Sequence, residues 1–417
     1  MTQTYFLPGV HDPAPKLFQN GTHRALDPTE TLKRVGRLMP VMGITRIANI
    51  TYLDTIGVPV VMVIRPNSRS LAVSQGKGLT LEAAKASGLM ESVESYHAEH
   101  VNLPLKLTSY EELRYTERVI DVSGLPFHKG GVFTPTTRLL WVEGHDMLND
   151  RRVWVPYELV HTDYTLPMPS GSGCFCPSSN GLASGNHVLE ATSHAMCELI
   201  ERDATSLWNL LDDDRREATR VDLSTVDDLA CLDVLEKFDQ AEIDVGVWDM
   251  TSDVGLPTFR CQITDRTDAA FRRMYSASGM GTHSTRRIAL LRALTEAAQS
   301  RLTMISGSRD DLFRNQYEIS RNRDVLKDVR EVVLGNGGGR DFRQLPNFEG
   351  ETLADDVGHE LASLQSIGVQ EVVAVNLTHP LFRVPVMRVI ATGLEGSDHS
   401  PGYAPGKRAQ QRKTGLL

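Results

Sequence analysis

Three helix-forming stretches, each entered through a short Gly/Ser-rich loop, carry acids at helical spacing: Glu91 and Glu94; Glu190, Glu198 and Glu201 beside Arg202; and Glu296 with Gln299. At about 100° per residue, Glu190 and Glu201 project within about 20° of each other and Glu198 about 60° away, so one helix face holds all three. One acidic i, i+3 pair by itself is a solvated surface. A carboxylate kept from water needs a cation or a donor, and three acid-bearing helices behind loops that free backbone N–H groups suit an anion with its metals. Hard oxygen ligands fit Mg²⁺, and Mg²⁺ fits phosphates, so the pattern points to a nucleotide.

Around these helices the chain repeats an order of hairpin, strand and helix. The stretches 44–54 and 58–66 are β-branched runs broken at Asp54 and Gly57, followed by a strand over 70–74, the loop Gln75, Gly76, Lys77, Gly78, and a helix over 80–101 with Thr80 as its N-cap. A second unit pairs 139–148 with 151–160 about Asn149 and Asp150, then crosses a long loop into a helix over 187–211. Its apolar stripe, from Leu189 through Met196, Ile200 and Leu207 to Leu211, has helical spacing and is assigned to the core. A third unit runs through 245–251, 257–265 and 272–278, passes Gly279 and Gly281, and enters a helix over 286–305. Gly57-x-Pro59 recurs as Gly255-x-Pro257, and Glu91 and Glu94 recur as Glu296 and Gln299, which suggests a degenerate internal duplication. A glycine-rich loop over 334–350, a helix over 352–367 and strands over 370–378 and 382–392 follow. The expected division is an N-terminal segment 1–40, a main domain 41–400 with subunits near 41–110, 111–215, 240–310 and 350–395, and an irregular basic tail 401–417.

The 417 residues are 41% hydrophobic with net charge −9, enough for a large core and poorly matched to a nucleic-acid polymer. The only strongly basic run, Lys407, Arg408, Arg412 and Lys413, reads as a solvated tail. With neither a signal peptide nor a long uncharged apolar run, the expectation is a soluble cytoplasmic protein without membrane contact, and the five cysteines are expected as free thiols.

Several motifs are weighed and set aside. Lys77 lacks the Walker spacing, leaving a point-charge contact to phosphate or a solvated loop lysine. Glu94, His97 and His100 form E-x-x-H-x-x-H, yet no second ligand cluster supports zinc. Cys174-x-Cys176 reads as a loop filler or, more sharply, a sulfur-handling pair. Neither a G-x-S-x-G elbow nor a dinucleotide fingerprint is present.

The segments SQGKGLTLEAAKASGLMESVE, SSNGLASGNHVLEATSHAMCELIERD and RALTEAAQSR together resemble the YcaO family over about residues 20–400. The resemblance implies an α+β fold of repeated hairpin, strand and helix units, with mostly antiparallel mixed sheets packed on helices and an ATP site between subdomains. It also implies ATP- and Mg²⁺-dependent activation of peptide backbone amides. Carried over by motif, Glu91, Glu94, Glu198 and Glu201 would surround the metals and triphosphate, with Glu198, Glu201, Arg202 and Arg301 the catalytic set. Ser87, Asn180, Glu190, Arg202, Glu296, Gln299 and Arg301 would complete the nucleotide site, joined by Lys77 and, through the N-terminal segment, by Arg24 and Thr31. The segments SRSLAVSQGKGL and ISGSRDDL are similar to those of TfuA-associated members, which install backbone thioamides from an external sulfur source. The chain also lacks the Pro-rich end of many azoline formers.

The implied partners are a precursor peptide or protein, a TfuA-like protein with its sulfur source, and a second copy in a homodimer. The chemistry suits the residues: an amide oxygen leaves poorly until phosphorylated, and phosphoryl transfer rests on positioning and charge rather than on a protein nucleophile. An azoline-forming cyclodehydratase and a non-catalytic ATP-binding scaffold are the competing readings.

Overall fold

The computed structural model describes residues 6–266, 275–309, 311–312, 314–319, 322–335, 339–398, 400 and 402–415. Outside them lie residues 272–274 of the expected third-unit strand, Asp310 of the ISGSRDDL segment, 336–338 of the glycine-rich loop and the last two residues of the tail.

A short helix α1 (Pro28–Gly36) precedes an antiparallel meander of β1 (Arg46–Asn49), β2 (Val60–Ile64) and β3 (Val73–Lys77), which feeds the helix α2 (Leu81–Glu99). Thr80 caps α2 by accepting from the Ala83 amide, as its position before the apolar run predicts. The third strand departs from expectation: Gln75, Gly76 and Lys77 belong to β3, not to a loop, because their backbones pair with Met62, Val61 and Val60. Gly76 is there for space. A Cβ on it would lie 2.1 Å from the Ala84 carbonyl oxygen and from the Gly88 amide, so its absence lets α2 rest directly on β3.

Next come β4 (Leu105–Ser109), α3 (Tyr110–Leu113), β5 (Arg138–Asp146), β6 (Arg151–Pro156), β7 (Leu182–Ser184), α4 (Val188–Trp208) and α5 (Asp213–Glu217). The β5–β6 hairpin forms as read, with Asp146 opposite Arg151. The apolar face of α4 is buried through Trp208.

The third unit is β8 (Val221–Asp222), α6 (Leu229–Gln240), β9 (Ile243–Asp249), β10 (Thr258–Asp265), β11 (Ser276–Thr282) and α7 (Arg286–Ser306). Here β9, β10 and β11 make the same antiparallel meander as β1, β2 and β3, and α7 packs on β11 as α2 packs on β3. Gly279 repeats the role of Gly76: its Cβ would meet the Ala293 oxygen and the Ala297 amide at 2.3 Å.

The remainder is α8 (Arg314–Ile319), α9 (Arg323–Leu334), β12 (Arg340–Asp341), α10 (Leu353–Ser366), β13 (Val372–Asn376), β14 (Val386–Ala391) and α11 (Lys407–Lys413). Strands β4, β5, β13, β14 and β7 form a mixed-origin sheet with β6 also on β5, so the second unit shares the chain order of the others but not their pairing. The sheets are mostly antiparallel and backed by helices, the α+β architecture expected.

The tail corrects the sequence reading. It is helical from Lys407, and Arg408 is buried between Asp203 and Asp253 rather than solvated. That pairing with acids remote in sequence is what removes Arg408 from the like-charge run. No helix among the described residues is long and apolar enough to cross a membrane.

Candidate nucleotide and metal site

The helices α2, α4 and α7 turn their acids toward two adjoining chambers that share a wall. The smaller, about 230 Å³, is lined by Arg24, Thr31, Ser87 and Glu190 and floored by Met90 and Leu291. The larger, about 740 Å³, is lined by Glu198, Glu201, Arg202 and Glu296, with Thr162, Tyr164 and Ser179 further out. Lys77, Glu91, Glu94, His194, Arg292 and Gln299 face both.

Each acid is held by a local contact. Glu94 Oε1 accepts from both the amide and the hydroxyl of Ser184 at 2.8 Å, which ties α2 to β7. Glu190 accepts from the Ala25 amide at 2.8 Å and lies 3.7 Å from Arg24 Nε, drawing the N-terminal segment over the smaller chamber. On α4, Arg202 stands 3.6 Å from Glu198 and 3.3 Å from Glu201, while Glu201 Oε2 is buried without a partner. Lys77 Nζ donates to Glu296 Oε2 at 2.9 Å, which makes it a wall residue of the cavity and not a solvated loop lysine.

Burial pushes Glu91 up to about 7 and Glu94 up to about 8, with Glu198 adding to both. Burial also raises Glu201, against the pull of Arg202. Glu296 goes the other way: burial would raise it, but Lys77 and Arg202 together hold it low. His194 is pushed well below its usual value by burial and by Arg292, so it is a neutral imidazole. These are oxygen donors awaiting positive charge, one with an orphaned buried oxygen, and they suit a hard divalent cation and its phosphates.

Two expected site residues are placed elsewhere. Arg301 is 1% exposed and lines neither chamber: its Nε pairs with Asp54 at 2.8 Å and its Nη1 with Asp265 at 2.8 Å, which locks α7 to the neighbouring strands. Those two acids, distant in sequence, decide its role. Asn180 is also absent from both walls, although its neighbour Ser179 lines the larger chamber.

In the role expected for Arg301 stands Arg292, nine residues or about two and a half turns earlier on α7 and so on its opposite face, with Nη1 3.3 Å from His194 Nδ1 and Nε buried without a partner. His194 and Arg292 were legible in principle, since each lies four residues from an acid already singled out, Glu190 and Glu296. Asn186, which accepts from Thr31 Oγ1 at 3.1 Å and lines the smaller chamber, was legible in the same way, four residues before Glu190 and within the segment SSNGLASGN. The E-x-x-H-x-x-H run separates in space: Glu94 faces the cavity, His97 Nδ1 bonds the Val93 oxygen and His100 stacks on Tyr96. Cys174 and Cys176 are buried, and burial raises both thiols, which disfavours a sulfur-handling pair.

The profile of a protein family described as YcaO cyclodehydratase, ATP- and Mg²⁺-binding, matches residues 75–395. A protein of the tfuA 3′ region of Rhizobium leguminosarum bv. trifolii is 38% identical over 384 residues, covering 89% of this chain and 88% of that protein. A Methanothermobacter thermautotrophicus protein is 35% identical over 390 residues, 89% of this chain and 95% of its own. Among solved structures, YcaO from Methanopyrus kandleri bound with AMPPCP and Mg²⁺ superposes with a TM-score of 0.72 at 22% identity, covering 94% of this chain and 99% of the other. A heterocyclase in complex with substrate and cofactor gives 0.79 at 24% identity over 97% of this chain, which spans 56% of that longer protein. At these identities the two structures establish the common fold.

Proposed function

The chain belongs to the YcaO family, and we propose that it uses ATP and Mg²⁺ to activate a backbone amide of a peptide or protein, replacing the amide oxygen by sulfur beside a TfuA-like partner. The observation that carries this reading is the convergence of Glu91, Glu94, Glu198 and Glu201 on one cavity together with Arg202, Arg292 and Lys77.

In this reading the four glutamates hold Mg²⁺, and Lys77, Arg202 and Arg292 meet the phosphates. Ser87, Glu190 and Arg24 close the smaller chamber around the rest of the nucleotide. Bound Mg²⁺ would supply charge neutralisation across the phosphate oxygens. Arg202 and Arg292 present guanidinium forks that match phosphate geometry and stabilise charge as it develops. His194, neutral and bonded to Arg292, orients that fork. The larger chamber leaves room for a peptide segment beside the shared wall.

Thioamide formation is favoured over ring formation by the tfuA-region relative; the buried Cys174 and Cys176, whose thiols burial raises, agree with sulfur that does not pass through them. Mass spectrometry separates the outcomes: exchanging O for S adds about 16 Da, and dehydration to an azoline removes about 18 Da. Glu198→Gln and Glu201→Gln are expected to fold and to lose Mg·ATP turnover by at least ~100-fold, beyond the ~10–100-fold typical of outer-shell changes. Normal ADP production by both variants would refute the metal assignment. ATP binding without hydrolysis, with every candidate peptide and partner present, would favour a scaffold.

A further inference from the structure

One wall of the larger chamber is the edge of a strand. In the sheet of β9, β10 and β11, β11 is the outer strand, and among the described residues no other strand pairs with it. Alternate residues of an antiparallel strand turn their main-chain groups toward the partner, and the rest turn them away. The Met280 amide, opposite Arg260, donates to Glu296 Oε1 at 3.2 Å and not to β10; on the other side of β10 the Thr258 oxygen accepts from the Met250 amide, which fixes the same alternation. Ala277, Gly279 and Gly281 therefore exchange bonds with Ile263, Cys261 and Phe259, whereas Ser276 and Ser278, in step with Met280, turn N–H and C=O outward. Among the described residues nothing takes those outward groups.

The edge opens into the cavity. Ser276, Ala277 and Ser278 line the larger chamber in an unbroken run, together with Glu201 and Arg202 of α4 and Glu296 of α7. Those two helices cover the two faces of β11: Thr205 of α4 reaches Met280 Sδ at 3.2 Å on one, and the backbone of α7 lies against Gly279 on the other. Between them the edge itself is left uncovered, and its side chains are too small to obstruct a second backbone. An unpaired strand edge is a template for an added strand, whose affinity comes from main-chain bonds.

We propose that the substrate binds the larger chamber as an extended peptide segment, pairing with Ser276 and Ser278 as an added strand on the edge of β11. This rests on the reading of the chain as an enzyme that modifies backbone amides. Glu296, by taking the Met280 amide, ends the ladder next to Lys77, to which it is also bonded. The first peptide carbonyl beyond the paired stretch is then left unpaired beside the acids and cations of the wall, the condition for an oxygen that is to receive a phosphoryl group. Recognition through the main chain tolerates many side chains and does not tolerate the loss of a paired amide N–H.

The test is hydrogen–deuterium exchange at the amides of Ser276 and Ser278 in the full chain with Mg·AMPPCP, with and without a mixture of capped random heptapeptides at millimolar concentration. The expected result is exchange slowed at least ~2-fold by the mixture, the factor reached when ligand concentration equals Kd. The same mixture N-methylated at every residue is expected to have no effect. Proline is tolerated on a strand edge where its missing N–H faces away from the sheet, so Ser278→Pro removes one outward donor and no bond to β10, and it is expected to abolish the protection at Ser276. Exchange unchanged by the peptides overturns the proposal, as does equal slowing by the N-methylated mixture or protection that Ser278→Pro retains. Protection that grows with protein concentration in the absence of peptide places a second copy of the chain on the edge and overturns it too. Should Ser278→Pro not fold, the N-methylated mixture makes the same distinction on the unaltered protein. Calorimetric Mg·AMPPCP binding by the wild type keeps the two readings apart: its failure counts against the nucleotide site, whereas exchange at the edge, followed also without nucleotide, judges the added strand.

Discussion

Glu91 and Glu94 carry their protons to about 7 and about 8 because burial penalises the charged form and their neighbours are acids. Folded values above the ordinary carboxylate range mean that the ligand-free fold binds more protons than the unfolded chain. Stability from these groups is therefore full at acid pH and declines as pH rises toward 8. Metal binding requires the carboxylates, so Mg·ATP is expected to release protons near pH 7 and to flatten the fall in Tm between pH 6 and 8, checked by calorimetry in buffers of different ionisation enthalpy. At the same scale the arginines of α7 divide their work. Arg292→Met is expected to weaken Mg·ATP by about 10-fold or more with little change in Tm, since it removes charge-assisted bonds of ~1.5–3 kcal/mol. Arg301→Met strands Asp54 and Asp265 in a buried site and should cost about 3 kcal/mol or more of stability, read by denaturant unfolding. A Mg·ATP affinity that falls in Arg301→Met and not in Arg292→Met would reverse this division.

Helices α2 and α7 reach the cavity because each lies directly on a strand with a glycine beneath it. Gly76→Ala or Gly279→Ala puts a methyl about 2 Å from helix backbone atoms, and backbone cannot yield as a side chain would. Each is expected to lose ~1–3 kcal/mol or more and to displace the acids, Glu91 and Glu94 a turn or two beyond the Gly76 contact and Glu296 within the Gly279 contact, so nucleotide affinity and Tm should drop together. Measuring both by thermal shift with and without Mg·ATP checks this. The hairpins, the Thr80 cap and the buried stripe of α4 were legible because they follow from periodicity and turn chemistry within a dozen residues. The strand identity of Gln75 to Lys77 was not, because glycine and polar residues read as loop until the pairing with β2 is known.

Across the whole molecule, the two ends of the described chain are fastened to helices, the N-terminal segment to α10 and the tail to α4, which bears part of the site. Lys16 Nζ, 2.8 Å from Asp356, pins the N-terminal segment to α10, and Arg408 pins the tail to Asp203, the residue after Arg202 on α4. Arg408→Ala is expected to leave Asp203 buried and uncompensated, lowering Tm and exposing the amides of 403–413 to faster hydrogen exchange; unchanged protection there would count against a fastening role. The sequence alone determined which helices carry acids, their shared faces, the α+β units and the family, because these depend on short-range spacing and on motif. It did not determine which cations meet those acids. Arg301 and Arg292 on one helix, or Arg408 within a basic run, are alike in sequence, and only the long-range placement of Asp54, Asp265, Asp203 and Asp253 decides which guanidinium is bound into the framework and which is left to face the cavity.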